Sequence, residues 1–127
     1  MKTRIDTEWF KNGKIKSEYK YRIGFSIPFT PIFQITFNVK EYGVETHWYE
    51  NGQKKEEINY KNGKEDGLNI GWYENGQKEW EGTWRDGEED GVETHWYENG
   101  KKKEETTFKC GREISSKEWN EDGSLKE

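Results

Sequence analysis

The chain has 127 residues and contains no alanine, two leucines, three valines, two prolines and one cysteine. Each shortage removes a class of protein. Without Ala and Leu there is little from which to build an amphipathic helix. With 28% hydrophobic residues the chain cannot fill a thick two-layer core. A single Cys, Cys110, excludes an internal disulfide and any paired-cysteine metal site, and fits a reducing compartment. No run of about 18 apolar residues occurs, so no helix can span a bilayer. Met1 to Glu8 lacks the apolar segment of a secretory signal, which points to a cytoplasmic protein. There is no basic patch either. The net charge is -5 with Lys and Glu interspersed, which is not a nucleic-acid footprint and leans toward a basic protein partner.

Aromatic residues, by contrast, are abundant at 16% of the chain. Charge at 37% would suit a disordered segment, but disordered segments are poor in aromatics. A thin sheet held by ring-bearing side chains reconciles the two.

The rings recur in a fixed frame. Trp72-Tyr73-Glu74-Asn75-Gly76 repeats Trp48-Tyr49-Glu50-Asn51-Gly52 and returns as Trp96-Tyr97-Glu98-Asn99-Gly100. Weaker copies begin at Trp9 and Trp119. A period near 24 residues is the mark of a repeat architecture. Asn-Gly between strand-favouring residues predicts a two-residue type I′ hairpin turn, with Tyr49 opposite Lys54 and Trp48 opposite Lys55. A second turn region, Asn62 to Gly67, then feeds the next unit, and Asp86 to Gly91 does the same one period later. In the fourth unit Cys110-Gly111 takes that place, with Cys110 standing where the other units carry Asn or Asp and Ser115 replacing the second glycine.

The expectation is an all-β protein: an elongated single-layer antiparallel sheet of consecutive β-hairpins, about ten strands in one domain over residues 1–127. Its units are 9–47, 48–71, 72–95, 96–118 and a partial 119–127. The first unit carries an insertion near 25–41, where both prolines sit. There Phe33, Ile35, Phe37 and Val39 alternate with polar residues, a strand period. Equivalent rings should form rows: Trp48/Trp72/Trp96, Tyr49/Tyr73/Tyr97 and Tyr21/Tyr60/Trp84/Phe108. A lone hairpin is marginal in water, so stability should come from neighbouring units burying these rows against one another.

No constellation for chemistry emerges. His47 and His95 occupy equivalent positions two units apart, about 19 Å at four strand spacings, too far to share a metal. Glu18, Glu57, Glu81 and Glu105 form a row spaced at ~10 Å, beyond the reach of a paired-carboxylate hydrolase. They are better explained as partners of Lys54, Lys78 and Lys102 across strands. Gly63 to Gly67 lacks the phosphate-loop pattern. Asp66 and Asp90 lack the spaced oxygen ligands of a calcium loop. Cys110 has no nearby His in sequence to act as its base. The chain reads as no enzyme and needs no cofactor.

An aromatic pair, Glu-Asn-Gly, a Glu, an aromatic and a glycine turn together resemble MORN-type repeats. In this chain they are Trp72 to Gly76, Glu81, Trp84, Gly87 and Gly91. The resemblance is closest to the bacterial variant associated with toxin–antitoxin pairs, and it covers residues 9–24 and 43–127. It implies a non-catalytic interaction module, of antitoxin or immunity type, that binds and neutralises a partner protein. The rings Trp48, Tyr49, Trp72, Tyr73, Trp84, Trp96 and Tyr97, with Phe33 and Phe37 of the insertion, are the candidate partner-binding residues, because large rings bury much area at low entropic cost. The alternative is a repeat surface for glycans or lipid head groups. The acidic balance opposes anionic membranes.

Overall fold

The computed structural model describes residues 2–24 and 39–127. Over them the chain forms one open antiparallel sheet of eleven strands, with no helix among the described residues. The strands are β1 (Lys2–Trp9), β2 (Ile15–Gly24), β3 (Val39–Trp48), β4 (Lys54–Lys61), β5 (Lys64–Glu65), β6 (Gly67–Trp72), β7 (Lys78–Arg85), β8 (Glu88–Glu89), β9 (Gly91–Trp96), β10 (Lys102–Lys109) and β11 (Arg112–Glu118). Neighbours in sequence are neighbours in the sheet, with the two-residue strands β5 and β8 standing beside β4 and β7. The insertion's Phe33 and Phe37 lie outside the described residues, while its last residues, Val39 to Glu41, belong to β3.

The turns divide the work differently from the sequence expectation. The Asn51-Gly52 corner is not a type I′ turn. It is a three-residue loop, Glu50-Asn51-Gly52, in which Tyr49 N–H donates to the Gln53 carbonyl and Gly52 N–H to the Tyr49 carbonyl, both at 2.9 Å. Gly52 has φ +90° and Asn51 is not left-handed. The Asn51 side chain instead accepts the Gln53 N–H at 2.9 Å. This places Trp48 opposite Lys54, not Lys55, with an irregularity beside His47. The loop recurs at Tyr73 to Gln77 and Tyr97 to Lys101. Type I′ geometry, with both central residues at positive φ, sits at the other corner: Asn62-Gly63, Asp86-Gly87 and Cys110-Gly111. Cys110, at φ 50°, fills the position of Asn62 and Asp86.

Ring rows do not stack as expected. Among the described residues the close ring pairs are Tyr19–Tyr21, Tyr19–Tyr60 and Trp80–Trp84, none of them between equivalent Trp of successive units. Units are tied by hydrogen bonds and cations instead. The Tyr49, Tyr73 and Tyr97 hydroxyls donate to the carbonyls of Trp72, Trp96 and Trp119 at 2.7, 2.7 and 2.8 Å. The Asn51, Asn75 and Asn99 amides donate to the carbonyls of Glu74, Glu98 and Glu121 at 3.0, 3.2 and 3.1 Å. Between the tryptophans lie ammonium groups: Lys54 over Trp72 at 5.8 Å, Lys78 over Trp96 at 5.5 Å and Lys102 over Trp119 at 5.6 Å. A cation above a ring face is worth about 0.5–1 kcal/mol at such exposed sites.

No thick core forms. Among the described residues Ile58 is the buried hydrophobic side chain, and Asn69 is the one that is fully enclosed. Its carbonyl oxygen accepts the Asn59 N–H at 2.8 Å and its amide donates to Glu65 at 2.8 Å. Enclosure costs little when both ends are paired.

Candidate binding face

Strand alternation and register sort the side chains onto two faces. One face carries Trp9, Trp48, Trp72 and Trp96 in a row, interleaved with Lys54, Lys78 and Lys102. Next to it runs Thr7, Thr46, Ile70 and Thr94, paired with Glu18, Glu57, Glu81 and Glu105. A third row is aliphatic: Ile5, Val44, Leu68 and Val92. Ile5, Leu68 and Val92 expose 54, 47 and 49% of their surface. Trp9, Ile15 and Tyr42, also strongly exposed, lie on this same face.

The Glu row finds its lysines, but along the strand. Lys54 Nζ is 2.6 Å from Glu57 and Lys78 Nζ 2.5 Å from Glu81, and Lys102 pairs with Glu105 in the same way. Each pair is three residues apart on one strand, brought to one face by the irregularity beside the loop. The Lys102 ammonium holds the Glu105 carboxyl below its usual range.

The opposite face is acidic and aromatic. Glu45, Glu56, Glu65, Glu89, Glu93 and Glu104 share it with Tyr19, Tyr60, Trp80, Trp84 and Phe108. Burial, then Glu45 and Glu65, pushes the Tyr60 hydroxyl up to about 12. Burial, then neighbouring Glu56, raises the Glu65 carboxyl, against the bond from Asn69. His47 and His95 stand here, each bonded to a Glu of its own strand: Glu45 at 2.9 Å and Glu93 at 2.5 Å. The Glu93 bond raises the His95 pKa, and burial opposes it. Among the described residues no group of three metal-binding side chains comes together.

The sequence candidates therefore separate. Trp48, Trp72 and Trp96 share the Trp–Lys face, half-buried. Trp84 is on the opposite face, with Trp80 at 6.0 Å. Tyr49, Tyr73 and Tyr97 spend their hydroxyls on the next unit. Burial, followed by glutamate neighbours, raises the pKa of Tyr49 and Tyr73, so both stay protonated donors at neutral pH. Alternation in the sequence already puts Val44 on the Trp48 face, but neither the aliphatic row nor Tyr42 was among the candidates. The signal was available: Val44, Leu68 and Val92 hold one repeat position. Trp80 was missed because its counterparts, Glu56 and Glu104, are not aromatic. Trp80 fits because Gly71 replaces the histidine found at 47 and 95; a Cβ on Gly71 would overlap the Trp80 Nε1.

A single uncovered sheet of repeats is the form of a repeat-based binding module. Compared with protein families, the chain matches the MORN repeat variant over residues 41–62 and 89–109, the β3–β4 and β9–β10 hairpins. The middle hairpin, with its Gly71–Trp80 exchange, falls between the two matches. Searches of curated proteins and of solved structures returned no match. No described helix is long and apolar enough to cross a membrane.

Proposed function

We propose that this chain is a non-catalytic interaction module whose Trp–Lys face docks a partner protein. One observation carries the reading: Ile5, Trp9, Ile15, Tyr42, Leu68 and Val92 expose their apolar surface on the same face. Scattered exposed hydrophobics are ordinary, but aligned ones invite a partner. The narrower form is an antitoxin or immunity-type protein, with a toxin as the protein bound; it rests on the repeat resemblance alone. The test is affinity capture from the native host with the wild-type chain and with Leu68→Asp plus Val92→Asp. Both positions are exposed, so the variant should fold. One stoichiometric protein held by the wild type and lost by the variant is expected. Equal capture by both removes this face from the interface. For the narrower form, co-expression should relieve the toxicity of the captured protein; a captured protein that is harmless when expressed alone overturns it. Liposomes and a glycan array are expected to stay silent.

A further inference from the structure

The repeat supplies its own comparison for one corner of the Trp–Lys face. Asp90 stands between two cations, 3.5 Å from the Arg85 Nε and 3.5 Å from the Lys109 Nζ. One unit earlier Asp66 holds the position, and one unit before that Tyr42 does. Tyr42 pairs with Arg22 on one side and Lys61 on the other, the counterparts of Arg85 and Lys109. The two cations are kept while the carboxylate between them is replaced by a ring.

Asp66 also lines the depression that these cations share, but no described carboxylate comes within 4 Å of either. Among the described residues Arg22 and Lys61 make no ion pair, and the Lys61 ammonium lies 5.9 Å over the Tyr42 ring. Lys20, two residues from Arg22 and on the same face, makes none either, although Glu18 is its neighbour along the strand. These groups line an open depression of about 520 Å³ together with Thr3, Val44 and Asn59. The Asp66 carboxylate accepts the Asp86 N–H at 3.2 Å. Elsewhere on this face Lys54, Lys78, Lys102, Arg85 and Lys109 each have a carboxylate. The chain is acidic overall, but six of its carboxylates stand on the opposite face, so this corner is locally cationic.

We propose that the depression at Arg22, Tyr42 and Lys61 binds the carboxylate of an acidic side chain from the docked protein, beside the Tyr42 ring and within reach of the two cations whose counterparts flank Asp90 two units on. A carboxylate there gains two charge-assisted contacts, as Asp90 does. The source being a protein rests on the docking reading above; the cation pair and its missing carboxylate do not.

The test is a titration of isotope-labelled protein, followed by NMR, with a capped Asp-Glu-Asp peptide and separately with inorganic phosphate. The peptide should shift the Arg22, Tyr42 and Lys61 amides and the Arg22 side-chain Nε signal. Tyr42→Asp, which supplies the carboxylate internally, should abolish that response. Arg22→Gln should weaken it at least about tenfold, the scale of one charged hydrogen bond. Either variant suffices if the other fails to fold. Silence toward the peptide overturns the proposal, as does an undiminished response in a folded variant. A response to phosphate alone overturns the carboxylate assignment. The docking reading fails separately, if Leu68→Asp with Val92→Asp still captures the partner while the peptide response is unchanged.

Discussion

Two kinds of seam join the hairpins, and they differ in how the backbone crosses them. At the outer seams each strand is unbroken, with a single register shift. β2 and β3 pair over eight positions, and β10 and β11 over six. At the inner seams the incoming strand is broken. β4 meets β5 at Tyr60 and Lys61 and meets β6 at Glu56 and Glu57, with nothing regular between. From Tyr60 to Glu57 is three steps, while the facing chain takes five, from Glu65 to Ile70. The β7 seam does the same at Arg85, Trp84, Glu81 and Trp80. The surplus is absorbed at Asp66-Gly67 and Asp90-Gly91, with φ +109° and +134° at the glycines. Such values are essentially closed to other residues. Where Ser115 replaces the glycine, the surplus shrinks to one residue, between Phe108↔Glu113 and Thr107↔Ser115, and β11 continues unbroken. The split seams are those whose glycine sits at positive φ; Gly43, in the same repeat position, has no positive φ, and its β2–β3 seam is continuous.

The sharpest way to break this contrast is at the middle hairpin. Gly71→Val should cost roughly 2–3 kcal/mol in urea unfolding, because Trp80 occupies the space its side chain needs. His47→Val, the same position one unit earlier, should cost well under 1 kcal/mol. Similar losses at both would deny that the Gly71–Trp80 exchange is a fitted pair.

Gly91→Ala tests the seam itself. Forcing a Cβ into that conformation should cost about 1–3 kcal/mol, or convert the split seam into a continuous one. Ser115→Gly should cost less, from backbone entropy alone. Hydrogen exchange at Glu89 to Val92 distinguishes strain from conversion.

Smaller is the loss expected for Tyr73→Phe, about 1 kcal/mol, since one part-buried bond to the Trp96 carbonyl disappears. The same change at Tyr97 probes the bond to Trp119 at the last unit. Unequal losses would show that the ladder is stronger inside the sheet.

Least in size is the pH effect. Folding raises the His95 pKa, so its contribution is complete below the unfolded value near 6.5 and fades as pH rises through the folded value. His95→Gln should flatten that fall. The tyrosines repeat the sign higher up. Tyr60 is raised to about 12, so its contribution is complete below pH 10 and fades between 10 and 12.

Much of this was legible beforehand. The period, the hairpins and the absence of helices among the described residues follow from Trp48, Trp72 and Trp96 with their Asn-Gly partners, because local turn chemistry and alternation need no distant contact. Cys110 as a substituted turn residue was readable for the same reason. The turn types were not: Asn51-Gly52 carries the same dipeptide as Asn62-Gly63, yet one closes a three-residue loop and the other a two-residue turn. That one-residue difference moved Trp48 from Lys55 to Lys54. The ring rows failed for another reason. Equivalent rings two strands apart leave room between them, and Lys54, Lys78 and Lys102 occupy it.

Composition and repetition alone determined that this chain is a sheet of hairpins, since period-two alternation and left-handed turn residues act over a few neighbours. Which side chains share a face was decided by the assembled sheet, because each loop irregularity shifts register by one and one step reverses a side chain's direction. Hence the lysines seated between the tryptophans and the cation pair left open at Tyr42 are properties of the tertiary structure.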